Sequence, residues 1–255
     1  DRSRARTEHE QGILDDLDWL GLVPDDGTTS SYRAARPHPL RQSDNDERYA
    51  HALSALDAER LVYACRCSRR ALEPTQDANE LRYPGHCRLA AVPRDETLAR
   101  RVILDDRREV FDDLRLGPQE QQPAAQCGDV LVRDRVGQWT YQFAVTVDDA
   151  LQQIDIVIRG EDLLASTGRQ LALARLLGRS APPRFLHHPL IRHPDGAKLS
   201  KSRGDRGIGE LRAAGVAPAQ VLGTAMQLAG LQHDPHPVTA ASLGERFAEA
   251  WHARD

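Results

Sequence analysis

Apolar residues return at Ile13, Leu17 and Leu20 along an otherwise polar opening. That spacing of three to four builds one apolar helix face, and Gly21 supplies its stop. Thr7 and Glu10 stand at the spacing of a capping box and predict where this helix begins. A turn-rich stretch, VPDDGTTSS, follows, and from Ser43 a second helical pattern carries Tyr49, Leu53, Leu56 and Arg60. Residues 64–122 lose this periodicity and are rich in Arg, Pro and Cys, which predicts an insertion rather than part of a regular α/β layer. β-Branched and aromatic runs then predict strands at VLVR (130–133), TYQFAVTV (140–147) and IDIVIRG (154–160). Thr167 and Gln170 repeat the capping-box spacing ahead of a helix through Leu177, so the chain from 154 reads as strand, loop and helix, one α/β unit. A further strand is expected from Phe185 to Ile191, then a turn at HPDG and a polar, glycine-flanked loop, GAKLSKSRGD. Pro218 fits the first turn of a helix bearing Leu222 and Met226; Leu243, Phe247 and Trp251 form a last stripe, and both stripes predict core packing.

Composition narrows the class. A chain of 28.3 kDa with 40% hydrophobic residues can bury a sizeable core. No run approaches the ~18 apolar residues of a membrane span, and DRSRARTEHE has no apolar signal region, so a cytoplasmic protein without a membrane partner is expected. The formal charge of −4 provides no global basic footprint, so contact with a polyanion must come from local arginine clusters. Four cysteines are too few for a disulfide scaffold, and three of them fall between positions 65 and 87, which favours metal over redox chemistry.

Lysine usage is more pointed. Of 34 basic Lys and Arg residues, Lys198 and Lys201 are the only lysines, and both lie in GAKLSKS. An ammonium is a compact point charge that can follow negative charge as it moves between phosphate oxygens, whereas a guanidinium is a flat fork suited to two-pronged contacts. Gly196 and Gly204 flank the loop and allow it to close and reopen.

Cys65 and Cys67 form a C-x-C pair, and Cys87 follows in Tyr83-Pro-Gly-His-Cys. Three thiolates at this spacing suit tetrahedral zinc, and by chemistry alone His86 is the natural fourth ligand. Cys127, alone before a strand, reads as a small buried residue. Arg66, Arg69, Arg70, Arg82 and Arg88 surround the thiols and offer a face to an RNA backbone or simply to solvent. Tyr141 is placed at a strand start and Arg159 at a strand end, where open α/β sheets gather ligands and where a guanidinium can fork onto an acidic substrate.

KLSKS at 198–202 resembles the KMSKS signature of class I aminoacyl-tRNA synthetases. YQFAVTVDDALQQIDIVIRGEDLLASTGRQ and FLHHPLIRHPDGAKLSKS are similar to the glutamyl-tRNA synthetase lineage, in the family's order. Within it, the short tail and CRC…YPGHC resemble the glutamyl-queuosine tRNA(Asp) synthetases. The resemblance implies an α/β fold: a Rossmann-type catalytic domain (1–62 and 123–204), a zinc-bearing insertion (63–122) and a helical C-terminal region (205–255). It implies Cys65, Cys67, Tyr83 and Cys87 as the structural Zn²⁺ ligands, with Tyr83 in place of His86. Tyr141 and Arg159 match the glutamate-contacting positions, Lys201 the ATP-contacting and catalytic one, and Lys198 a weaker catalytic candidate. The expected partners are ATP with Mg²⁺, L-glutamate and tRNA(Asp) bearing queuosine, acting on a monomer. Alternatives are a glutamyl-tRNA synthetase charging tRNA(Glu), for which four residues after Trp251 leave no room for an anticodon-binding module, and a non-catalytic RNA-binding relative. The family's first strand and HIGH motif have no counterpart here, and DRSRART resembles the segment that follows them, so those elements are expected ahead of Asp1 in the natural protein.

Overall fold

The computed structural model describes residues 6–25, 27–68, 70, 72–74, 81–193, 195, 196 and 206–252. These fall into two compact units: one spans Pro39–His188, and the other draws on the segments before and after it. In the second unit, helix α1 (Thr7–Leu20) stops at Gly21, whose φ of 75° lets its N–H turn back to the carbonyls of Asp18 and Leu17. The capping box expected from Thr7 and Glu10 does not form. Arg6 is the N-cap and Thr7 already lies inside the first turn. A capping box does form where turns were expected: Thr28 Oγ1 accepts from Ser31 N and Ser31 Oγ accepts from Thr28 N, each at 3.0 Å, and α2 (Thr29–Ala34) starts there. A serine at the third position does the work usually assigned to Glu or Gln.

The apolar faces behave largely as their spacing predicts. Leu20 of α1 packs with Leu222 and Met226 of the helix Pro218–Leu228 and with Val238. Leu243, at the start of the helix Leu243–His252, joins this core, whereas Phe247 stays 39% exposed, against the expected core packing. One turn farther along, the helix has moved past the edge of the small core.

The larger unit begins with α3 (Asp46–Ala58) and β1 (Val62–Cys65), followed by the short strands β2 (Glu73–Pro74) and β3 (Leu81–Arg82) and by α4 (His86–Leu89). Then come β4 (Ala99–Val102), β5 (Glu109–Asp113), β6 (Gly117–Gln121), α5 (Pro123–Gln126), β7 (Val130–Arg133), α6 (Tyr141–Leu151), β8 (Ile156–Gly160), α7 (Thr167–Leu176) and β9 (Arg184–His188). Strands β1, β4 and β7 make an antiparallel sheet, and β6, β5, β9 and β8 make a second, in that order. In the second sheet β5 and β8 both run parallel to β9, while β6 returns antiparallel to β5. Residues 109–121, read from sequence as part of the insertion, therefore supply two strands to the sheet that holds the α/β unit. The expected strand from Phe185 to Ile191 ends at His188.

One prediction fails outright. Residues 140–147 are not a strand: Tyr141 opens helix α6. Its β-branched residues favour extension locally, but Phe143, Ala144 and Val147 share one helical face and bury into the core with Tyr49, Leu56, Val102, Val132 and Leu173. Asp148 seals the same interface, accepting from Tyr49 Oη at 2.8 Å, Gln42 Nε2 at 2.9 Å and Arg48 Nη1 at 2.7 Å. Tertiary burial outweighs strand propensity here.

Candidate active site

Because β5, β8 and β9 run parallel, their carboxyl ends lie on one edge of the sheet. They carry Asp113, Arg159 and His187 respectively. All three are buried. Arg159 donates from Nε to His187 Nε2 at 3.0 Å, from Nη1 to Gln170 Oε1 at 2.6 Å and from Nη2 to Thr167 Oγ1 at 2.8 Å. Gln170 in turn donates to Gln142 Oε1, and Gln142 to Ser166 Oγ. The Thr167–Gln170 spacing read as a capping box thus has a different use. Both side chains face the guanidinium, and Ser166 is the N-cap residue of α7. The same helix start is drawn against β6: Gln121 Oε1 accepts from Gly168 N at 2.8 Å, and a Cβ on Gly168 would stand 2.7 Å from that oxygen.

Tyr141, nearly half exposed at the first turn of α6, interacts electrostatically with Arg159. Burial lowers the Arg159 pKa, and the Tyr141 hydroxyl, Asp149 and Asp113 only partly offset it; the group stays cationic, as arginine does in proteins. Burial also lowers His187, against the raising effect of Asp113. For Asp113, burial pushes the carboxyl up, but the His187 ring and the N–H groups of Leu116, Arg115 and His187 outweigh it and hold the group below its ordinary value. Lys198 and Lys201 lie outside the described residues.

A second cluster lies in the same unit. The thiols of Cys65, Cys67 and Cys87 all fall within 4.8 Å of one another, and among the described residues His86 does not join them. Tyr83 does. Its hydroxyl is 3.6 Å from Cys65 Sγ and 3.8 Å from Cys67 Sγ, and it accepts from Cys87 N at 2.9 Å. Sulfur atoms on a tetrahedral zinc stand about 3.8 Å apart, from bonds of about 2.3 Å, so three thiols and one phenol oxygen fit that ion. Arg101 lies over the Tyr83 ring at 3.7 Å and donates from Nε to Cys65 Sγ at 3.4 Å. Burial raises the Cys67 thiol to about 11; Cys87, although burial raises it too, is drawn down to about 7 by hydrogen bonds from Tyr83, the Arg66 backbone and the other thiols. Tyr83 is set in place by Gly128, whose φ is +68° and on which a Cβ would meet the Tyr83 carbonyl oxygen at 2.1 Å. Cys127, next to it, is buried in the main core, as expected.

Set beside known proteins, the arrangement has a family. A profile of tRNA synthetases class I (E and Q), catalytic domain, matches residues 1–240. The chain belongs to that family. Among its relatives, glutamyl-Q tRNA(Asp) synthetase of Symbiobacterium thermophilum is 40% identical over 257 residues, covering 95% of this chain and 78% of that one. Glutamyl-Q tRNA(Asp) synthetase of Nitratidesulfovibrio vulgaris is 37% identical over 246 residues, covering 92% and 75%. A crystal structure of glutamate-tRNA synthetase from Elizabethkingia anophelis matches with a TM-score of 0.63 at 26% identity, over 80% of this chain and 44% of that one. As a class I synthetase catalytic domain, the chain is an α/β ligase scaffold, and among the described residues no helix is long and apolar enough to cross a membrane.

Sequence reasoning singled out Tyr141, Arg159, Tyr83 and the three thiols, and the structure brings each set together. It missed Asp113, Gln170, Gln142 and the role of His187. The sequence carries a trace of them in the Thr167–Gln170 spacing, which also fits a helix cap.

Proposed function

We propose that this class I synthetase activates glutamate with ATP and transfers the glutamyl group to queuosine in the anticodon of tRNA(Asp). A glutamate carboxylate oxygen attacks the α-phosphorus, the bond to pyrophosphate breaks, and glutamyl-adenylate forms. A hydroxyl of the queuosine base then attacks the acyl carbon, and AMP leaves. The observation that carries the reading is Arg159: a buried guanidinium at the carboxyl ends of parallel strands, the place where such sheets bind ligands, whose hydrogen-bond acceptors among the described residues are neutral side chains. Arg159 binds the carboxylate of an acidic substrate, and Tyr141 orients it. Lys201, and as the weaker candidate Lys198, neutralises phosphate charge, and Mg²⁺ enters with ATP. Cys65, Cys67, Tyr83 and Cys87 hold a structural Zn²⁺ that closes the insertion, with Arg101 offsetting thiolate charge. The activity belongs in the cytoplasm, where charged tRNA is used.

Glutamate-dependent exchange of pyrophosphate into ATP tests the first step. Transfer of labelled glutamate to tRNA(Asp) that carries queuosine, and not to tRNA(Asp) without it, tests the second. Charging of tRNA(Glu) instead would establish a glutamyl-tRNA synthetase, the reading favoured by the likeness to the Elizabethkingia anophelis enzyme. Absence of exchange in the full-length protein would leave an RNA-binding relative.

A further inference from the structure

The acceptors around Arg159 share a property that a structural ion pair would lack. His187, Gln170 and Thr167 are all uncharged, and the nearby carboxylates, Asp113 and Asp149, act on the guanidinium only at longer range. Asp113 lies one ring farther back: its Oδ2 contacts His187 Nδ1 at 2.6 Å and accepts from His187 N at 3.0 Å. Its other oxygen accepts from the N–H groups of Arg115 and Leu116, at 3.0 and 2.9 Å, in the turn that follows β5. Arg115 closes the assembly by donating to the His187 carbonyl and pairing with Glu161. These contacts fix the ring chemically. A carboxylate only accepts, so Nδ1 carries the hydrogen; a guanidinium only donates, so Nε2 must be bare.

The geometry points to His187 and Asp113 as positioning residues that aim Arg159 through a neutral imidazole, holding its direction while leaving its positive charge for an acidic substrate. The inference rests on the reading of Arg159 as the glutamate partner. A carboxylate in direct contact would orient the fork equally well, but it would neutralise the guanidinium and compete with the incoming one. With the imidazole between them, Asp113 sets the ring and the ring sets Nε. On its outer side the fork meets the neutral Tyr141 hydroxyl as well as Gln170 and Thr167, and it is through this outer side that it meets the ligand. Selectivity for an acidic side chain then comes from what the cradle does not contain as much as from the arginine itself.

The test uses the full-length protein and three variants. Calorimetric titration with L-glutamate is paired with KM values for glutamate and ATP in pyrophosphate exchange. His187→Gln keeps a neutral acceptor and is expected to lose no more than about fivefold in glutamate affinity. His187→Glu puts a carboxylate on Arg159 and is expected to lose about 30-fold or more, with the KM for ATP within about twofold of the parent. If His187→Glu does not fold, nitrogen NMR of histidine-labelled parent protein decides: at neutral pH the ring must be uncharged with its hydrogen on Nδ1. Equal glutamate affinities for the two variants, or a cationic or Nε2-protonated ring, would overturn the inference. Arg159→Ala separates the premise from it. Loss of glutamate binding there with no penalty in His187→Glu removes only the relay, whereas undiminished binding in Arg159→Ala removes the glutamate-partner reading itself.

Discussion

The thiol cluster and the arginine cluster occupy one unit and are electrostatic opposites. Around Cys65, Cys67 and Cys87 the ligating atoms are electron-rich, and one thiol is already drawn down to about 7, a cluster that calls for a cation. Around Arg159 the cation is part of the chain and its acceptors are neutral, a cluster that calls for an anion. Charge that is not neutralised is costly in a buried site, so the balance of charged and neutral partners indicates the sign of the ligand. The clusters also differ in support. Arg159 is braced by three strands and a helix, whereas the thiols belong to a smaller cluster with Tyr83 and Ala99, where the proposed ion would have more stabilising to do.

The sharpest break between them comes from removing one ligand of each. Cys87→Ala, or chelation of the parent protein, is expected to cost about 3–5 kcal/mol of stability and lower the melting temperature by about 10 °C or more. Elemental analysis should find about one zinc per parent chain and almost none in the variant; a chelator that leaves the melt unmoved would refute the metal. Arg159→Met should do the reverse, weakening glutamate about 100-fold by calorimetry while shifting the melt by only a few degrees. Gly128→Ala sharpens the link between backbone and cluster. With φ at +68° and the Tyr83 carbonyl in the way, it should cost about 2–3 kcal/mol in denaturant unfolding and release zinc more readily. The smallest effect is a dependence on pH. His187 and Asp113 both titrate below their ordinary values of 6.5 and 3.8, so the unfolded chain takes up protons first as pH falls. The His187 contribution is complete above about 6.5 and is lost as pH drops toward its folded value, with the Asp113 contribution following from about 3.8 downward. Melting temperature should therefore decline on acidification from about pH 6.5 and fall further once Asp113 begins to titrate, and His187→Gln should flatten the first limb.

Much of this was legible in the sequence where the signal is local. The α1 stripe, strands β7 and β8, and the C-x-C pair with its YPGHC partner are each written within a few residues of chain. Strand propensity misled at 140–147 because burial of Phe143, Ala144 and Val147 is set by elements far away in sequence. The arginine cradle was invisible for the same reason: His187 reaches Asp113 across 74 positions and Arg159 across 28, and no periodicity encodes such pairs. Chemistry alone chose His86 over Tyr83, since a histidine next to a cysteine is the commoner zinc ligand; what places the phenol among the thiols is the run of the Tyr83 backbone against Gly128.

That backbone contact has an evolutionary side. Tyr83 N donates to Cys127 O at 2.9 Å and its residue pairs with Gly128, so the chain that carries the phenol to the thiols is held at a fixed point on the scaffold. Substitutions in descendants of this chain should therefore spare Tyr83 through Cys87, whose backbone is held by the scaffold while the phenol is held by the thiols.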